Sequence, residues 1–144
     1  MTTISAKIVQ DSLDLQEVLQ VRRSVFIEEQ QIPESLEMDG LDSIAAHVIV
    51  KEDDMPVATG RLRNVQGEAK VERVAVLKSS RGKGLGKLVM DSLEEYALQQ
   101  KFSAIVLNAQ EHAIPFYTTL GYLPASNLYE EAGIPHMKMK KDLT

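Results

Sequence analysis

Three glycines and an arginine share one short stretch, Arg81-Gly82-Lys83-Gly84-Leu85-Gly86. It follows an alternating apolar segment, Val71-Glu72-Arg73-Val74-Ala75-Val76, and opens an amphipathic stretch that runs to about Gln100. A strand, a glycine-rich loop and a helix in that order turn backbone N–H groups toward an anion. The first helical N–H groups have no partner inside the helix, and the macrodipole favours negative charge there. Glycine at 82, 84 and 86 removes side chains that would hold a phosphate away from the backbone. Arg81 adds a guanidinium suited to a bidentate contact. The expected chemistry is pyrophosphate binding. A Walker loop needs GxxxxGK[ST], but Gly82 and Gly86 enclose three residues and Leu88 stands where the magnesium hydroxyl belongs. A dinucleotide fingerprint needs GxGxxG, and Lys87 or Val89 occupies its third glycine position. What remains is R-x-x-G-x-G after a strand. The bland alternative is a flexible turn before a surface helix, which three alternate glycines and an arginine make the poorer account.

Bulk properties narrow the partners. The chain has 144 residues, the size expected of one domain spanning 1–144 with its own core. Apolar content of 44% and charged content of 26% are those of an ordinary globular protein. No apolar run is long enough to span a bilayer, and no signal-peptide pattern opens the chain. Cysteine is absent, which removes disulfides, thiolate metal sites and a cysteine nucleophile, and fits a cytoplasmic location. A net charge of −5 argues against broad nucleic-acid binding. The local patch of Lys78, Arg81, Lys83 and Lys87 suits a small polyanion instead. The three histidines, His47, His112 and His136, lack ligand spacing, so no metal is expected.

Periodicity supplies the elements. Ala6–Val9 reads as a strand, and a helix follows from Ser12 or Asp11 through Phe26. Residues 27–44 are acidic, contain Pro33 and Gly40, and read as a long loop with a helical turn. Ala45–Lys51, Val57–Asn64 and Ala69–Val76 form a predicted β-meander. A helix over Gly84–Gln100, a buried strand at Ala104–Leu107 and a helix at Ala113–Leu120 capped by Gly121 come next. Asn127–Gly133 reads as a loop or short helix, and Pro135–Lys141 as the final strand. This order predicts an α+β three-layer sandwich, a mixed central sheet with helices on both faces.

With those elements in place the glycine loop resembles the pyrophosphate loop of the GNAT superfamily of acyl-CoA-dependent N-acyltransferases. Asn108-Ala109-Gln110, Ala113-Ile114-Pro115-Phe116-Tyr117 and Gly121-Tyr122 resemble the family's second motif. Further stretches are similar to the small bacterial YjcF-like and ElaA-like branch. They are Val25–Gln30, Glu37–Asp42, Gly60–Arg63, Glu72–Val76 and Gly133–His136.

The resemblance implies acetyl-CoA as donor co-substrate. Main-chain groups of Val74, Ala75 and Val76 would pair with the pantetheine arm as an added strand, on an edge freed where the strand at 104–108 splays away. An N–H near Val76 would stabilise the oxyanion. Arg81, Gly82, Lys83, Gly84, Leu85 and Gly86 would hold the pyrophosphate. Asn108, at the mouth of the splay, would bond the pantetheine or simply satisfy local backbone. Tyr117 is the family's usual general acid for the leaving thiolate, against a plain packing role. Glu72 is a candidate base, on the expectation that 72, 74 and 76 share one strand face. Its competing role is to pair with Arg61 or Arg63. The acidic loop, with Glu29 and Asp39 foremost, and His136 after Gly-Ile-Pro would line the acceptor pocket and attract an amine.

The function expected is N-acetyl transfer to a primary amine by direct attack in a ternary complex, since a cysteinyl acyl-enzyme is impossible. The rival from another class is an acyl-CoA-binding sensor or interaction module without catalysis. A nucleotide binder is a third reading, disfavoured by the failed Walker spacing. Small amine, amino sugar, peptide N-terminus and protein lysine all remain open as acceptors. So do monomer and homodimer.

Overall fold

Apolar alternation builds the central sheet, and the computed structural model describes residues 2–144. The chain runs β1 (Ile4–Ile8), α1 (Ser12–Arg22), α2 (Glu34–Glu37), β2 (Ala46–Glu52), β3 (Met55–Val65) and β4 (Glu68–Val76). It continues with α3 (Leu85–Gln99), β5 (Ala104–Gln110), α4 (Ile114–Thr119), β6 (Leu123–Pro124), β7 (Tyr129–Glu131) and β8 (Ile134–Asp142). The strands form one mixed sheet in the order β1-β2-β3-β4-β5-β8-β6, with β7 also on β8. Only the β4–β5 pairing is parallel among the described strands. No helix among the described residues is long and apolar enough to cross a membrane.

Both faces of the sheet are covered, as the α+β sandwich requires. On β2, Val48 and Val50 join the core under α3, while Ile49 between them joins Val18, Val21, Val25 and Phe26 under α1. Asp11 caps α1 by accepting from the Asp14 N–H at 2.8 Å. Gly60 lets α3 approach the sheet, since a Cβ there would lie 2.7 Å from Val89 Cγ1 and 2.9 Å from Leu93 Cδ1.

Two features of the sheet make the site. Pairing between β4 and β5 covers only Ala69–Ile105, Lys70–Val106 and Val71–Leu107. Beyond Leu107, β5 stays with β8 as far as Gln110 opposite His136, while β4 leaves it. The expected splay is therefore present, and it starts at Asn108. The second feature is a bulge in β4: Thr59 faces Ala75 but Arg61 faces Glu72, with Arg73 at φ +56° absorbing the extra residue.

Several expected boundaries shift. The segment 27–44 is more ordered than a loop: α1 continues as a π-helix over Arg23–Glu29, and α2 and a short 3₁₀ turn at Asp42–Ile44 follow. Its polar residues hid this order, because buried arginines rather than apolar contacts tie it down. The strand at 104 extends past Leu107 to Gln110. Part of 127–133 is strand rather than loop, since Ala132 and Gly133 at φ +52° and +75° make a tight hairpin between β7 and β8.

Candidate active site

Gly82 and Gly84 sit at φ +81° and +80°, and a Cβ on either would meet nothing within 4 Å. Conformation rather than crowding demands glycine there. Gly84 is the N-cap of α3, so the N–H groups of Leu85, Gly86 and Lys87 have no partner within the helix. Gly86 has a different reason from the one expected. A Cβ there would stand 3.1 Å from Phe116 Cζ, so this glycine seats α4 against the first turn of α3.

Arg81 is not idle. Its Nε donates to the Val76 carbonyl at 3.0 Å, and its Nη atoms grip Glu29 at 2.7 and 2.6 Å. Hydrogen bonding from Arg81 holds the Glu29 carboxyl below its usual range. Glu29 thus lies at the glycine loop, not free on the acceptor rim as expected. Lys83 and Lys87 likewise face Glu52 at 3.2 Å and Asp91 at 2.8 Å.

The glycine loop, the unpaired part of β4, Asn108 and Tyr117 all line one cleft of about 1120 Å³. Tyr117 is buried on α4, edge-on to Phe116 at 5.0 Å and to Tyr122 at 5.8 Å. Burial pushes its phenol above the ordinary tyrosine value, so it stays protonated at neutral pH and has a proton to give.

The bulge at Arg73 overturns the expectation that 72, 74 and 76 share a face. The extra residue swings Glu72 to the α1 side with Ala75, while Val74 and Val76 pack toward α3. Glu72 there accepts from Arg63 Nε at 2.5 Å and Arg61 Nη2 at 3.0 Å. Burial opposes its ionisation, but Arg63 and Arg61 outweigh it and leave the carboxyl below its usual value.

The acidic loop is drawn inward by the same cluster. Fully buried Arg22 binds Glu37 at 2.7 Å and Asp42 at 2.6 Å. Fully buried Arg61 binds Asp39 in bidentate fashion at 2.9 and 2.7 Å, and Asp42 at 3.0 Å. Asp39 lines the cleft, but its carboxylate is tied to Arg61 and Arg73, and hydrogen bonding from Arg61 pulls its pKa far down. His47 belongs to this support as well, its Nε2 lying 2.9 Å from the Asp42 carbonyl.

Across the splay from β4, the cleft is lined by Asn108, Gln110, Glu131 and His136. Gln110 exchanges side-chain hydrogen bonds with Gln30 at 2.9 and 3.2 Å. His136 is buried, with Nδ1 2.7 Å from the Ile134 carbonyl and Nε2 3.5 Å from Glu131. Asn108 donates to the other oxygen of Glu131 at 3.4 Å. Sequence reasoning missed Glu131, because three residues of β7 are too few to show alternation. The adjacent Ala-Gly dipeptide was the available hairpin signal.

Comparison with known proteins agrees with this architecture. A family model described as an acetyltransferase (GNAT) domain matches residues 9–143. The chain is 39% identical over 140 residues to a protein named Uncharacterized N-acetyltransferase YjcF from Bacillus subtilis, covering 96% of this chain and all (100%) of that one. It is 31% identical to Protein ElaA of Escherichia coli over 131 residues, 88% of this chain and 86% of that protein. Among solved structures, an acyl-CoA N-acyltransferase from Pseudomonas aeruginosa superposes with a TM-score of 0.85 at 28% identity, covering 98% of this chain and 99% of that one.

Proposed function

The chain belongs to the GNAT acetyltransferase family and is an acyltransferase enzyme, and on that premise we propose that it transfers the acetyl group of acetyl-CoA to a primary amine by direct attack in a ternary complex. The observation that carries this reading is the free edge of β4. It begins past Val71, runs to the glycine loop, and opens on the same cleft as Tyr117.

The residues fit an acyl-CoA. The α3 N-terminus, with Gly82 and Gly84 in left-handed conformation, is a pyrophosphate cradle without side-chain obstruction. Arg81 joins it by exchanging Glu29 for phosphate. Backbone groups of Val74, Ala75 and Val76 offer strand-like hydrogen bonds to an amide-bearing arm, and Asn108 supplies a further one. When bound, the thioester supplies an activated acyl group and a thiolate leaving group. An N–H near Val76 serves the oxygen on which charge develops. Tyr117, kept protonated by burial, gives its proton to the departing sulfur. The chain contains no cysteine, so donor and acceptor must be held together, and positioning supplies much of the rate. Glu72 is assigned to holding Arg61 and Arg63, and with them the acceptor side of the cleft.

Isothermal titration with acetyl-CoA, desulfo-CoA and ATP tests the donor site. One-to-one binding of both CoA compounds and none of ATP is the expected result, and absence of CoA binding would overturn the proposal. The same titration on Tyr117→Phe should return the wild-type affinity, while amine-dependent thiol release falls by roughly 10²-fold.

A further inference from the structure

His136 lies on β8 opposite Gln110, with 6% of its surface exposed, and lines the same cleft as the glycine loop and Tyr117. Its Nδ1 stands 2.7 Å from the Ile134 carbonyl oxygen. A carbonyl oxygen only accepts, so Nδ1 carries the hydrogen and a neutral ring keeps its lone pair on Nε2. Across the β7–β8 hairpin, Nε2 faces Oε2 of Glu131 at 3.5 Å. The other oxygen of Glu131 is taken by Asn108 Nδ2 at 3.4 Å. A lone pair and a carboxylate that face each other need a proton between them. A substrate ammonium brings one, and the ring itself carries one once it has been protonated.

We propose that His136 is the general base of the reaction, taking the proton of the acceptor ammonium on Nε2, and that Glu131 is the positioning residue that stabilises the resulting imidazolium. This rests on the transferase reading above. The ammonium N–H bond breaks, its proton moves to Nε2, and the freed nitrogen lone pair attacks the thioester carbon. The C–S bond then breaks, and Tyr117 protonates the sulfur. The nitrogen, now bonded to the acyl carbon, loses its second proton to the Tyr117 oxygen. His136 releases the net proton to solvent. The first deprotonation thus falls to β8, and the protonation of sulfur and the second deprotonation to Tyr117 on α4.

Other titratable groups lie on this ring's neighbouring elements. Tyr129 of β7 stacks on it at 6.2 Å, burial raising the Tyr129 phenol above its usual value. Lys138 lies two residues further along β8, and His112 lies on the 3₁₀ turn at Glu111–Ala113. Glu131 is the charged partner within ion-pair reach among the described residues.

Nitrogen-detected NMR on the free protein tests the dyad without any co-substrate. The expected result is an Nδ1–H tautomer at His136, with an Nε2 resonance that shifts in Glu131→Gln as the ring loses the carboxylate facing it. An Nε2–H tautomer, or an Nε2 resonance that does not move, would overturn the proposal. Turnover is read with ethylamine, which must lose a proton before attack, and with hydroxylamine, which is neutral near pH 7 and need not. His136→Asn retains a donor toward Ile134 and removes the base. It should lose roughly 10²-fold in kcat/KM with ethylamine, far less with hydroxylamine, and lose the acid limb of the pH profile. Equal losses with both nucleophiles and an unchanged limb would reduce His136 to a structural role. If acetyl-CoA does not bind, the transferase reading falls, while the tautomer and the Nε2 resonance still decide whether the dyad exists.

Discussion

Arg81 and Glu29 form a charged pair at the glycine loop. The Arg81 guanidinium presents two parallel N–H groups, and Glu29 accepts from both in two short hydrogen bonds. Both side chains are partly exposed, 42% and 35%, so the pair is weak and can be exchanged for a pyrophosphate. Glu29→Gln should tighten acetyl-CoA binding by up to roughly fivefold, the worth of an exposed pair of about 1 kcal/mol, and most clearly at low salt. Unchanged or weaker binding by titration would mean that Arg81 does not reach the phosphates. Arg81 was legible from its place before the glycines. Its occupant was not, because 52 residues of chain separate the two and no local pattern links them.

At the scale of elements, the site depends on how closely α3 and α4 approach the sheet and each other. Gly60 and Gly86 are the two places where absent side chains permit that approach. Gly60→Ala would press a methyl group into Val89 and Leu93, both fully buried in the packed core. It should cost about 1–3 kcal/mol, seen as a lower Tm, and should loosen the helix that follows the glycine loop. A Tm equal to wild type would show that α3 can move outward freely. The bulge in β4 acts at the same scale. One left-handed residue, Arg73, reverses the strand's alternation and sends Glu72 to the arginines. Strict period-two reasoning placed Glu72 beside the thioester for that reason. A glycine marks many bulges with a left-handed residue, but here an arginine takes the conformation, and Leu36 and Glu37 carbonyls hold it at 3.3 and 3.1 Å.

For the molecule as a whole, the segment from Gln30 to Ala45 is fastened by charge rather than by apolar burial. Arg22 from α1 and Arg61 from β3 gather Glu37, Asp39 and Asp42 under one face of the sheet. The carboxyl of Asp39 is lowered chiefly by hydrogen bonding from Arg61. Burial works against ionisation of Asp42 and Glu72, but arginine pairing prevails at both. Carboxylates with depressed folded-state values contribute stability that is complete above the unfolded value, about 4, and is lost as pH falls through the folded one. Circular dichroism should therefore show stability that holds down to about pH 4 and falls steadily below it. Asp39→Asn should flatten that fall, and an acid limb identical to wild type would remove Asp39 from the account. The glycine spacing, the alternation of the meander, the amphipathic α3 and the Phe-Tyr pair are local properties, written in neighbouring residues, and they sufficed for the layers, the place of the glycine loop and the helix that carries Tyr117. The arginine cluster, the Glu29–Arg81 pair and the meeting of Asn108, Glu131 and His136 join groups far apart in the chain. Buried charges choose partners by proximity in the folded state, and no periodicity records that choice.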